Sequence, residues 1–258
     1  MLTDPETGAP LLDGMPRQRT APPGRVAPVT APTLPARTAD PRPWLLLPSP
    51  KSTPFTFGYA VVLCVTSLFA RYAAPSLIRA LYQASSTDVA HLVHDPALVL
   101  VASALWIAGG ITSTYTLVFL LVLTALERRI GARRAAAVFL AGHVLATLAT
   151  EGSVGLAVLA GHLPETSLHR LDYGISFGVA ASLGALTGLM RPWLRWPVLI
   201  AFASILLQDL AAFADPMSNW GHLLSLVVGI ALWPVVRRWH RTGRRATVGG
   251  LAGAPTVA

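Results

Sequence analysis

Six long apolar runs, nearly free of charge and separated by arginines, leave this chain few ways to fold. A bilayer core of roughly 30 Å is crossed by about 20 helical residues. Runs at residues 55–77, 111–126, 135–160, 174–189, 193–212 and 220–236 are read as spanning helices. Only 12% of the 258 residues are charged, against 53% hydrophobic. A soluble domain of this length carries about twice that charged fraction. The stretch PALVLVASALWIAGG, residues 96–110, is apolar but short and ends in two glycines. It is read as a partly embedded loop rather than a seventh span. The expected architecture is an all-α integral membrane bundle of six transmembrane helices with an embedded first external loop.

Arginine placement orients the bundle. Seventeen of the twenty Lys and Arg residues fall on one side of a six-span arrangement: in the N-terminal region, after the second and fourth spans, and after the sixth. Arg71, Arg79 and Arg170 fall on the other. Basic loops stay in the cytoplasm, so both termini are expected there, in a multi-pass protein of the plasma membrane. The net charge of +8 belongs to these loops and not to one continuous face, so no nucleic-acid partner is expected. The arginine clusters read as topology determinants that also touch anionic lipid.

Thirteen of the 21 prolines lie at or before Pro54. Proline at that density blocks helices and sheet ladders. Residues 1–52 therefore read as a disordered cytoplasmic tail, 53–238 as the membrane domain and 239–258 as a flexible basic tail. No apolar core of a signal peptide stands out near the start. Cys64, inside an apolar run, reads as an inert thiol. Arginine and alanine richness suggests a GC-rich bacterial genome.

Two motifs carry candidate chemistry: Gly174-Ile175-Ser176-Phe177-Gly178 and Trp220-Gly221-His222. By helical rise, Ser176 lies ~6 Å below the outer boundary and His222 ~4.5 Å below it. The fourth run stacks Gly174, Gly178 and Ser182 on one face, with Gly184 and Gly188 nearby; the sixth repeats Gly221, Ser225 and Gly229 at four-residue spacing. Small-xxx-small faces let helices approach closely in lipid. If these faces meet, a neutral imidazole at His222 can take the Ser176 proton while the hydroxyl attacks an amide carbonyl. The plainer alternative makes Ser176 a small packing residue and His222 a hydrogen-bonded histidine near the interface.

The order of these parts resembles the rhomboid family of intramembrane serine proteases. Leu126-Glu127-Arg128-Arg129-Ile130-Gly131 resembles the family's L-E-x-x-x-G signature, which is structural there. Gly174-Ile175-Ser176 resembles the G-x-S-G of the fourth helix, and His222 with Ser225 and Gly229 the H-x-x-G-x-x-x-G of the sixth. The resemblance, over residues 55–237, implies Ser176 as nucleophile, His222 as base and a transmembrane segment as substrate. It implies no cofactor and no metal. The chain departs from the pattern where the family carries H-x-x-x-N in the second helix, here near Ile111 and Tyr115. Phe177 replaces the glycine after the nucleophile, and the embedded loop lacks the usual tryptophan-arginine pair. Tyr115, Gly174 and Phe177 are thus the residues expected to shape the oxyanion site.

Other polar groups have plainer readings. His143, about 13 Å into its span, is expected to bond a neighbouring carbonyl. Glu151 and Asp209 are expected near water at the outer ends of their spans. His162, Glu165, His169 and Asp172 share an external loop without a zinc-like spacing. Two functions compete: an intramembrane protease, and a rhomboid-like pseudoprotease that binds transmembrane helices or remodels lipid without cleaving. A small transporter is disfavoured, because no span is broken midway in paired repeats.

Overall fold

Prolines set where the helices begin. In the computed structural model five helices have proline as their first residue: α1 Pro54–Tyr72, α2 Pro75–Ala84, α4 Pro96–Ser103, α8 Pro192–Ala211 and α9 Pro216–Ala231. Proline fits there because its missing N–H has no helical partner anyway. The others are α3 Val89–His94, α5 Thr114–Ile130, α6 Ala132–Leu159, α7 Ser176–Thr187 and α10 Trp233–Ala252, with a 3₁₀ turn at Glu165–His169. The structure describes residues 47–213 and 215–252, with side chains through 243. No strand occurs among them. The proline-rich region expected as a tail falls almost wholly outside the described residues, and the expected domain boundary at 238 lies inside α10.

Each expected span contains a helix, but their lengths differ. α1, α6 and α8 are long and apolar enough to cross a membrane. α9 and α10 meet at a bend of 46° and together make a fourth candidate. α7 is apolar but has only 12 residues. Between α1 and α5 the chain folds into α2 and α3, and the apolar stretch 96–110 then forms α4 and turns through Gly109 and Gly110.

Burial separates the helices. From Phe177 to Thr187 every residue of α7 is buried, as expected for a helix apolar on all sides. α1 and α8 instead turn Val61, Val62, Val65, Phe69, Ile200 and Leu207 outward. Apolar surface of that extent belongs against lipid.

α7 is held between α6 and α9 by glycine. A Cβ on Gly184 would stand 2.6 Å from the Leu226 carbonyl oxygen, and one on Gly229 would overlap the Ala181 carbonyl. Ser225 donates its hydroxyl to the Phe177 carbonyl across the same seam. On the other side Gly142 of α6 faces Ala181, and Gly178 faces the Phe139 ring. This corrects the expected face: Gly178 packs on α6, not α9. One residue of helix turns the side chain by about 100°, so Phe177 takes the α9 side, while Ala181 gives its methyl to α6 and its carbonyl to α9.

The L-E-x-x-x-G segment joins α5 to α1. Thr53 gives α1 no side-chain cap. Glu127 does so from a distance: Oε1 accepts from the Phe55 N–H at 2.9 Å, and Oε2 from the Thr56 N–H at 2.7 Å and the Thr56 hydroxyl at 2.6 Å. A carboxylate at the start of a helix satisfies orphan donors and complements the helix dipole. Gly131, at φ +87°, then lets α5 end and α6 begin within one residue. His143 bonds a carbonyl, that of Leu100 in α4, at 3.0 Å, with Ser103 Oγ at 3.2 Å.

Two substitutions test this frame by thermal unfolding in detergent. Gly229→Ala is expected to cost roughly 1–3 kcal/mol through forced separation of α7 and α9. Gly58→Ala, with open space around its Cβ, serves as the neutral control. Glu127→Ala strands three donors, two of them buried, and is expected to cost about 3 kcal/mol.

Candidate active site

Ser176 is the first residue of α7, and the chain reaches it through a conformation that favours glycine. Gly174 has φ +123°, and its N–H donates to the Ser103 carbonyl at 3.0 Å. That bond docks the approach to α7 on the end of α4. The first bond closing on this turn runs from the Val179 N–H to the Ile175 carbonyl, at 3.0 Å. The N–H groups of Ser176, Phe177 and Gly178 lie ahead of it, outside the helical ladder, at the positive end of the dipole. Ser176 itself is half-buried.

His222 projects from the second turn of α9 and is 8% exposed. Its ring stacks on Tyr115, centroids 5.4 Å apart at 24°, and meets Phe177 edge to face at 5.2 Å and 78°. Neither Nδ1 nor Nε2 has a hydrogen-bond partner. Ser176 Oγ therefore does not bond the imidazole directly. The facing helices bring Tyr115, Phe177, Gly221 and His222 together, with Ser176 adjacent in sequence to Phe177. Phe177 takes the space that Gly221 leaves open, since a Cβ on Gly221 would overlap its ring and stand 2.8 Å from Thr150 Oγ1. Ser225 and Gly229 lie along the same seam, one and two turns beyond His222. Glu127 and Gly131 sit at the far end of α5 and serve the fold.

Sequence reasoning missed what lies on the loop side of the site. Glu151 was expected near water, yet it is 1% exposed and pairs with Arg170. Arg170 also reaches Asp172 at 3.3 Å, Asp215 at 3.5 Å and the Ser218 hydroxyl at 2.9 Å. The segment before Ser176 is thereby tied to α6 and to the start of α9. Ser86 accepts from the Asp172 N–H at 3.0 Å and donates to the Arg170 carbonyl at 3.2 Å, adding the turn before α3. Burial pushes the Asp172 carboxyl above the usual range, opposed by the Arg170 guanidinium. Tyr173 stacks on Tyr82 at 4.3 Å. The available signal was Glu151 itself, because a carboxylate in an apolar run calls for a partner.

Among the described residues no group of three or more His, Cys, Asp or Glu is placed to hold a metal ion. The chemical inventory is thus one hydroxyl at a helix start, backbone donors beside it, and an uncommitted imidazole on the helix opposite.

Residues 50–242 match a family model described as rhomboid-like protein. No curated protein matches the chain. No solved structure matches it either.

Arg170→Gln leaves Glu151 buried without its cation, and is expected to lower stability by about 3–5 kcal/mol. Arg170→Gln combined with Glu151→Gln is expected to recover part of that loss. Thermal unfolding of the three proteins measures both effects.

Proposed function

Because the chain belongs to the rhomboid-like protein family, we propose that it is an intramembrane serine endopeptidase acting on transmembrane segments near the outer leaflet. In this reading six helices form the bundle, residues 96–110 with α4 are its embedded external loop, and both termini face the cytoplasm from the plasma membrane. Ser176 is the nucleophile and His222 the general base.

The observation that carries the reading is the buried imidazole with both nitrogens free, on the helix packed against the one that Ser176 begins. A buried polar group without a partner calls for an explanation, and a base awaiting a proton is one. The direct Ser–His bond is absent, so the reaction requires the hydroxyl to reach the imidazole when a substrate is bound. Such bonds often tighten only in the substrate complex.

Each step draws on these groups. His222 takes the Ser176 proton as Oγ attacks the carbonyl carbon of the scissile peptide. The oxyanion so formed is met by N–H donors at the start of α7, where a helix N-terminus favours negative charge. His222 returns the proton to the leaving amine nitrogen as the C–N bond breaks. Water then hydrolyses the acyl-serine with His222 again as base, which releases the acid and restores the hydroxyl. Tyr115 and Phe177 hold the ring by its face and edge.

A second reading has its own observation. The Phe177 ring stands at the family's glycine position, against the imidazole, and no His or Asn stands near 111 and 115. Both favour a rhomboid-like protein that binds transmembrane helices without cutting them.

Labelling with a fluorophosphonate probe separates the two. The protease reading expects covalent modification of the purified protein that is abolished in Ser176→Ala. In His222→Ala labelling falls by about 10²-fold or more, the usual worth of a general base. A folded protein that takes no label decides for the non-cleaving reading.

A further inference from the structure

The end of the molecule opposite Arg170 carries basic charge without countercharge. All four ion pairs among the described residues involve Arg170 or His91. Glu127, beside this end, has both oxygens committed to the start of α1. The arginines after α5, α7 and α9 therefore lack carboxylate partners among the described residues.

One part of this surface is built into a groove of about 250 Å³ between the turn after α7 and one face of α10. Gly188, Leu189 and Met190 form one wall; Arg237, His240 and Arg241 form the other. Arg237 is fixed twice: its Nε donates to the Gly188 carbonyl at 2.9 Å, and its guanidinium lies 4.9 Å from the centre of the Trp233 ring. Its outer Nη groups have no acceptor among the described residues. Arg241, one turn on, is anchored through Nε to the Arg237 carbonyl at 3.3 Å and is otherwise exposed. His240 is held from behind by the Arg129 carbonyl at 3.0 Å.

The negative end of α7 does not oppose an anion here. Arg195 donates to the carbonyls of Thr187 at 2.9 Å and Met190 at 2.9 Å, and Arg237 takes that of Gly188. Two arginines thus remain with free donors on one groove, in the planar geometry suited to phosphate oxygens.

The surroundings indicate where the phosphate comes from. Trp196 lies 6.4 Å from Trp233 and is 54% exposed, and Trp193 at the start of the same helix is 70% exposed. Exposed tryptophans at the end of an apolar helix belong at the membrane–water boundary. The groove is then level with lipid headgroups.

We propose that the groove of Arg237, His240 and Arg241 against residues 188–190 binds the phosphodiester headgroup of an anionic phospholipid. The site is separate from Ser176 and His222, and it holds whether or not the chain is a protease.

The test titrates the full-length protein in detergent with phosphatidylglycerol, reading bound lipid by native mass spectrometry. Phosphatidylcholine and inorganic phosphate are run in parallel. Arg241→Gln, at an exposed position, is expected to weaken phosphatidylglycerol binding about fivefold, the usual worth of one arginine at an anionic surface. Arg237→Lys keeps the charge but loses the stacked fork, and a comparable drop is expected. Arg133→Gln with Arg238→Gln removes two charges outside the groove and is expected to leave binding within about twofold of the unmodified chain. An equal loss in that control overturns the site in favour of diffuse charge. Equal binding of phosphatidylcholine overturns it as well. Complete displacement of the lipid by millimolar inorganic phosphate overturns the lipid assignment and leaves a soluble-phosphate site.

Discussion

Everything at the candidate site depends on how closely α7 and α9 approach. Lipid tails are as apolar as the helix surfaces, so burial alone does little to hold two helices together in a membrane. What remains is dispersion at short range and hydrogen bonding. Both are available here because Gly184 and Gly229 carry no side chains and Ser225 bonds across the seam to the Phe177 carbonyl. A larger residue at either glycine meets backbone of the facing helix and forces the two apart. A 12-residue helix buried along its length is tolerable for the same reason: α6 and α9 satisfy its surface from two sides.

Much of this was legible in the sequence. Low charge and long apolar runs gave helices at the right places. The spacing of Gly221, Ser225 and Gly229 announced a close helix contact. The L-E-x-x-x-G segment announced a structural role, although not that the carboxylate would cap another helix. Other features depend on what faces what, which spacing does not encode. Gly178 serves α6, Glu151 is buried with Arg170, and the chain before the apolar stretch 96–110 forms two further short helices, α2 and α3.

The candidate site was legible as a list of residues and less so as a geometry. Ser176 and His222 fall on the two helices that pack most intimately, yet their side chains do not bond. Phe177 fills the space beside Gly221 and meets the imidazole at 78°, while Tyr115 stacks on the ring's face. A glycine at 177 leaves that volume empty.

The cap that Glu127 places on α1 bears on biogenesis. The acceptor and its nearest donor are 71 residues apart. While the chain is being synthesised, α1 emerges first and has no acceptor for those amides until the second hairpin arm follows it. Glu127, buried in the folded protein, follows with its partners already synthesised. The start of the first helix is thus completed only once the end of the fifth has been made, so the chain's first turn of helix and one carboxylate 71 residues later are satisfied together or not at all.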